Sequence, residues 1–103
     1  MLKGLAEQRN RRSRRVAVRA PVMVGGYGYM MVSLLMVDLS TVGFRIKSHT
    51  LMRKGVDVFA RVGTVLQANA SVVWSDGEHI GFVFQSPIND DLVERVAALY
   101  PHR

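Results

Sequence analysis

Cysteine is missing from this sequence altogether. Disulfides and thiolate metal sites are therefore excluded, and the chain suits a reducing compartment such as the cytoplasm. The three histidines, His49, His79 and His102, are scattered and lack metal-ligand spacing. No uninterrupted apolar run is long enough for a spanning helix. The nearest candidate, residues 21–37, holds three glycines and a proline. The first residues are charged and lack an apolar stretch, so no signal peptide is expected. Catalytic machinery is equally scarce. There is no evident nucleophile–base pair, no paired carboxylates and no glycine-rich phosphate loop, and a non-enzymatic role is expected.

Acidic residues are almost absent from the front of the chain. Residues 1–19 hold seven lysines and arginines against Glu7 alone, which leaves +6 there. That equals the formal charge of the whole 103-residue protein, because seven basic and seven acidic residues cancel in the remainder. A cationic end on a neutral body points to an anionic partner that meets that end.

What is present is ordinary for one small globular domain: 49% hydrophobic and 21% charged residues. Residues 1–10 lack sustained periodicity and read as a flexible arm leading to a domain over residues 11–103. Val16, Val18, Val22 and Val24 fall on even positions, the alternation of a strand with one buried face. Pro21 within it cannot donate to a ladder and marks an edge or a bulge. Gly25 to Gly28 signal a turn, and Tyr29 to Val37 a second, mostly apolar strand. Asp38 to Gly43 break the pattern.

Phe44, Ile46 and Ser48 then alternate with Arg45 and Lys47. Further strands are expected over residues 56–61, 65–74 and 80–85, with Ser75-Asp76-Gly77 as a hairpin turn. Beyond Pro87 the period changes. Leu92, Val93, Val96, Ala97 and Leu99 mark one helix face, with Asn89, Asp90 and Asp91 at its start and Pro101 past its end. Six short strands and a terminal helix favour a barrel or sandwich, with the helix packed over one mouth. Trp74 is expected in the core or at the barrel rim, and Met30, Met31 and Met36 as core filling.

Two motifs stand out. Arg11-Arg12-Ser13-Arg14-Arg15 contains an Arg-x-x-x-Arg spacing, and Asp38-Leu39-Ser40-Thr41-Val42-Gly43 is an Asp-x-Ser-x-x-Gly turn. In this order, about 25 residues apart, they resemble the PilZ family. Residues 15–18, Lys54-Gly55-Val56, Val72-Val73-Trp74 and residues 80–84 are similar to other parts of that family's pattern. The resemblance covers residues 9–100.

The resemblance implies a six-stranded antiparallel barrel with a C-terminal α-helix, and a ligand, cyclic di-GMP, held between the arm and the barrel surface. It implies that Arg11 and Arg15 grip phosphates and guanine edges, with Arg12 as an added charge. It implies that Asp38 and Ser40 bind guanine or stabilise the turn, and that Gly43 lets the chain come close to the ligand. No cofactor is implied. The family often has a further arginine just before the first motif arginine. Asn10 stands there in this chain, with Arg9 one step away, which leaves one or two nucleotides per chain open.

The chemistry of the residues agrees with that ligand. A guanidinium fork matches both phosphate oxygens and guanine O6 and N7. A carboxylate can accept from the guanine N1–H and N2–H₂ edge, and a serine hydroxyl can order its own turn. Two other readings stay open. One is a barrel of this family that binds a partner protein and no nucleotide. The other is a small basic nucleic-acid-binding barrel, which calls for exposed aromatics on a sheet face, and this sequence shows few. On the leading reading the signal passes to a separate, unidentified protein.

Overall fold

The computed structural model describes residues 14–26 and 30–103. The expected arm over residues 1–10 and two of the motif arginines, Arg11 and Arg12, lie outside the described residues, as do Tyr27 and Tyr29.

Six strands follow in order: β1 (Val16–Gly25), β2 (Val32–Leu39), β3 (Gly43–Lys47), β4 (Asp57–Val62), β5 (Leu66–Ser75) and β6 (His79–Phe84). One helix, α1 (Asp90–Leu99), comes last. The strands close into an antiparallel barrel in the order β1-β2-β3-β6-β5-β4, with β4 returning to β1. The alternation that defines the strands supplies the inner wall: Val18, Ala20, Val22 and Val24 of β1 are all buried. Val58, Ala60 and Val62 repeat the pattern on β4. Phe44 and Phe82 stack across β3 and β6 with centroids 4.7 Å apart, and Phe84 tilts against Phe44 at 5.4 Å. The inward side chains form one continuous apolar cluster.

Closure needs curvature, and three bulges supply it. The register shifts between Ala17 and Ala20 on β1, between Met36 and Asp38 on β2, and between Val72 and Trp74 on β5. At the first of these the far edge of β1 is covered by the end of the chain. The Arg19 N–H donates to the Tyr100 carbonyl at 3.0 Å, and Val18 bridges to Pro101. Pro21, with no N–H to give, falls between that contact and the start of pairing with β4 at Met23.

The strand directions put two different ends on the barrel. At one end lie the start of β1, the β2–β3 and β4–β5 turns, and the last residues of β6. There α1 closes the mouth, burying Val93 and Val96 into the core. Asn89 caps it, its Oδ1 accepting the Leu92 N–H at 2.9 Å, and Asp90 and Asp91 sit in the first turn where negative charge is favoured. Leu99, expected on the buried face, is exposed, since the last helical turn has passed the rim. The other end, ringed by residues 26, 30 and 31, the β3–β4 loop and the β5–β6 turn, has no helix over it among the described residues.

Three details differ from the sequence expectation. Asp38 and Leu39 belong to β2 and Gly43 to β3, because Asp38 pairs with Ala17 and Arg45 on either side. Of the methionines expected in the core, Met36 is buried while Met30 and Met31 are exposed at the mouth opposite α1. Trp74 is not in the core and lies one residue before the end of β5. The extra residue in the β5 bulge turns it to the outer wall, where it is 36% exposed.

Candidate functional site

The turn between β2 and β3 is built by Ser40. Its buried Oγ accepts the N–H groups of Val42 at 3.2 Å and Gly43 at 3.3 Å, and it donates to the Gly43 carbonyl at 3.4 Å. The Ser40 N–H also donates to the Gly43 carbonyl at 2.9 Å. A hydroxyl that satisfies two backbone donors inside a tight bend explains the serine in chemical terms. Gly43 has a separate reason. A Cβ placed there would lie 2.1 Å from the Phe82 carbonyl oxygen. The missing side chain lets β3 press against β6 just as the chain leaves the turn.

Asp38 stands immediately before this turn and is nearly buried. It is held from both sides. Arg15 Nη1 donates to Oδ1 at 3.5 Å across 23 residues of sequence, a long contact from a side chain that is 62% exposed. Arg45 Nε lies 2.9 Å from Oδ2. That second contact is short but poorly aligned, and the buried Nε makes no well-formed hydrogen bond. The attraction is therefore mainly between the two charges, and the guanidinium is left with donors to spare.

The structure thus brings together Arg15, Asp38, Ser40 and Gly43, while Arg11 and Arg12 fall outside the described residues. It adds two residues that sequence reasoning passed over. Arg45 is opposite Asp38 in the β2–β3 register. The signal was available: Leu39 and Phe44 close the turn, so the residues just outside them must face each other. Arg45 pairs onward with Gly81 on β6, and Gly81 with Trp74 on β5. The Trp74 ring lies over Gly81, where a Cβ would meet its Nε1 at 2.2 Å. A row across the outer wall therefore runs Arg15, Asp38, Arg45, Gly81, Trp74: two guanidinium groups, a carboxylate and an aromatic face.

This combination suits a ligand with both phosphates and flat, hydrogen-bonding rings. The row is an open surface: none of its residues lines the concavity beside Gly25, Phe59 and Gln85 or the one beside Val24, Leu51 and Ile80. No group of three metal-ligating side chains occurs among the described residues. No helix among them is long and apolar enough to cross a membrane.

Comparison with known proteins bears on this geometry. The family model described as the PilZ domain matches residues 9–100. Among solved structures, the chain is similar to the PilZ domain of CeSA from a cellulose-synthesizing bacterium, with a TM-score of 0.65 and 20% identity over 84% of this chain and 98% of that one. It is also similar to the PilZ domain of YcgR from Escherichia coli, solved with c-di-GMP, at 0.60 and 13% identity over 85% and 86%. A third is PlzA of Borreliella burgdorferi, solved in complex with c-di-GMP, at 0.64 and 14% identity. The match covers 89% of this chain but only 44% of PlzA. At these identities the solved structures establish the fold. A search of curated proteins finds no match.

Proposed function

Because this chain belongs to the PilZ domain family, a family of nucleotide-binding receptors and not of enzymes, we propose that it is a receptor for cyclic di-GMP that signals through a separate protein. One observation carries the reading above the others. Arg15 of the basic run and Asp38 of the turn, 23 residues apart in sequence, meet on one face of the barrel.

On this reading the dinucleotide seats against the row from Arg15 to Trp74. Its phosphates draw Arg15 off Asp38, and Arg11 and Arg12 add charge as the arm closes over the ligand. The freed oxygen of Asp38 accepts from a guanine N1–H and N2–H₂ edge. Arg45 keeps that carboxylate in place and offers its remaining donors to guanine or phosphate. Trp74 supplies a flat face for a base. Ser40 and Gly43 act through the bend that sets Asp38 and Arg45 opposite each other. Ordering residues 1–10 over the ligand changes the surface of the domain at residues 11–103, which is what a partner would read. A cytoplasmic location follows from the ligand's role as an intracellular messenger.

Calorimetry with cyclic di-GMP tests the proposal. Saturable heat is expected for the wild type. Arg15→Ala and Asp38→Ala are each expected to weaken binding roughly ten- to a hundred-fold, the loss of one charge-assisted contact. No heat at tens of micromolar would overturn it, and a salt-sensitive gel shift with no preference for cyclic di-GMP would favour the nucleic-acid reading.

A further inference from the structure

The two mouths of the barrel are solved differently, and the difference is informative. At the α1 end the core is covered by an amphipathic helix that turns Val93 and Val96 inward and carries Asp90, Asp91 and Glu94 on its exposed side. At the other end the core runs out to the surface. Val24, Val58 and Ile80 are buried there, and the side chains around them are not: Met30 is 87% exposed, Leu51 71% and Val32 51%. Together they line a groove of about 760 Å³. A continuous apolar patch of this kind on a small domain marks an interaction surface. Methionine at its edge gives it an adaptable contact area.

Charge narrows the occupant. Residues 39–56 carry Arg45, Lys47, Arg53 and Lys54 and no acid. Arg53 lines the groove, and Lys47 and Lys54 are exposed near it. None of these three forms an ion pair among the described residues. Two of the acids at this end are already engaged. The Ser71 hydroxyl donates to the Asp57 carboxylate at 2.6 Å. The Asp76 carboxylate accepts the N–H groups of Glu78 and His79. Both carboxylates keep their charge, as does Glu78, but none of the three lines the groove, where Arg53 is the charged side chain among the described lining residues.

Topology narrows it further. Among the described residues the barrel is closed, so none of its strands offers a free edge to an added strand. The groove must take side chains from an element that satisfies its own backbone, and a helix does so. We propose that this mouth docks an acidic amphipathic helix of a partner protein, in the way α1 covers the opposite mouth.

The test is selection of a phage-displayed peptide library on the full chain, with nuclear magnetic resonance mapping of the selected peptides. The expected outcome is a consensus of apolar residues at helical spacing flanked by Asp or Glu, with shifts centred on Met30, Val32 and Leu51. Leu51→Asp and Val32→Asp should each weaken such peptides at least roughly tenfold. Both positions are exposed, and an unchanged amide spectrum elsewhere verifies the fold. Failure to select peptides, a consensus without acids, or binding that survives Leu51→Asp would overturn the proposal. So would loss, in Leu51→Asp, of sedimentation with phosphatidylglycerol vesicles or of a wild-type dimer, which would assign the groove to lipid or to a second copy. Cyclic di-GMP binding is measured on the same variants and stays at its wild-type value; a wild type that binds no nucleotide leaves the peptide result readable on its own.

Discussion

Asp38 and Arg45 face each other across the β2–β3 ladder, with Oδ2 and Nε 2.9 Å apart and the guanidinium poorly aligned to its partner. The carboxylate is nearly buried, so removing its charge does more than free an oxygen. Asp38→Asn leaves the buried Nε of Arg45 facing a neutral amide. We expect a loss of about 1–3 kcal/mol in urea unfolding, the usual penalty for stranding a buried polar group. The double variant Asp38→Asn with Arg45→Leu should recover part of it. Equal instability in the double variant would show that the pair is not coupled.

Gly43 makes a sharper case. Gly43→Ala drives a Cβ into the Phe82 carbonyl, which is backbone on the neighbouring strand and cannot rotate away. The expected cost is about 1–3 kcal/mol in the denaturant midpoint, as for other overpacked sites. Any weakening of nucleotide binding in this variant should then accompany a disturbed β3–β6 ladder, visible as faster amide exchange at Arg45 and Val83. A variant of wild-type stability would contradict the close approach.

Trp74 is the single tryptophan, half-exposed and in the same row as Arg45. Its fluorescence should therefore change on titration with cyclic di-GMP and saturate with the calorimetric curve. Trp74→Phe should keep the fold and weaken binding severalfold, since a smaller ring face remains. An emission spectrum untouched by saturating ligand would remove Trp74 from the site.

The β5–β6 turn provides a pH prediction. The Asp76 carboxylate accepts from His79 N–H at 2.8 Å and Glu78 N–H at 2.9 Å, and these bonds, His79 first, hold its pKa below the ordinary 3.8. A depressed carboxyl pKa adds stability above the ordinary value, and that stability is lost as pH falls through the folded value. The melting temperature of Asp76→Asn should therefore lie below wild type at neutral pH and converge with it once the pH has fallen below the lowered folded-state value. A gap that persists unchanged into that range would show that the charge plays no part.

Much of this was legible in the sequence, for a physical reason. Four runs of period two and two longer strand-like runs, bounded by turn residues, specify six strands, and an Asn-Asp-Asp start specifies the helix N-terminus. The meeting of Arg15 with Asp38 was implied by the paired motifs. What could not be read are consequences of the bulges. Alternation places Trp74 on the same face as Val72, but the ladder takes one extra residue between them. Nothing in Val72-Val73-Trp74 announces that insertion, since all three suit a strand. Met30 and Met31 were read as core because apolar composition does not say which mouth the helix covers. Arg45 was overlooked because an arginine alternating with Phe44 and Ile46 looks like an ordinary solvated position until the turn's register is drawn.

The β5 bulge has a consequence at the level of single-codon deletions. Deleting one codon at Val73 would place Trp74 directly after Val72, where plain alternation still turns the indole outward over Gly81. What such a variant loses is the local bend and added twist that the spare residue gives β5. Length variants of this hairpin should therefore keep the tryptophan's face and differ in the curvature of the barrel wall beneath it.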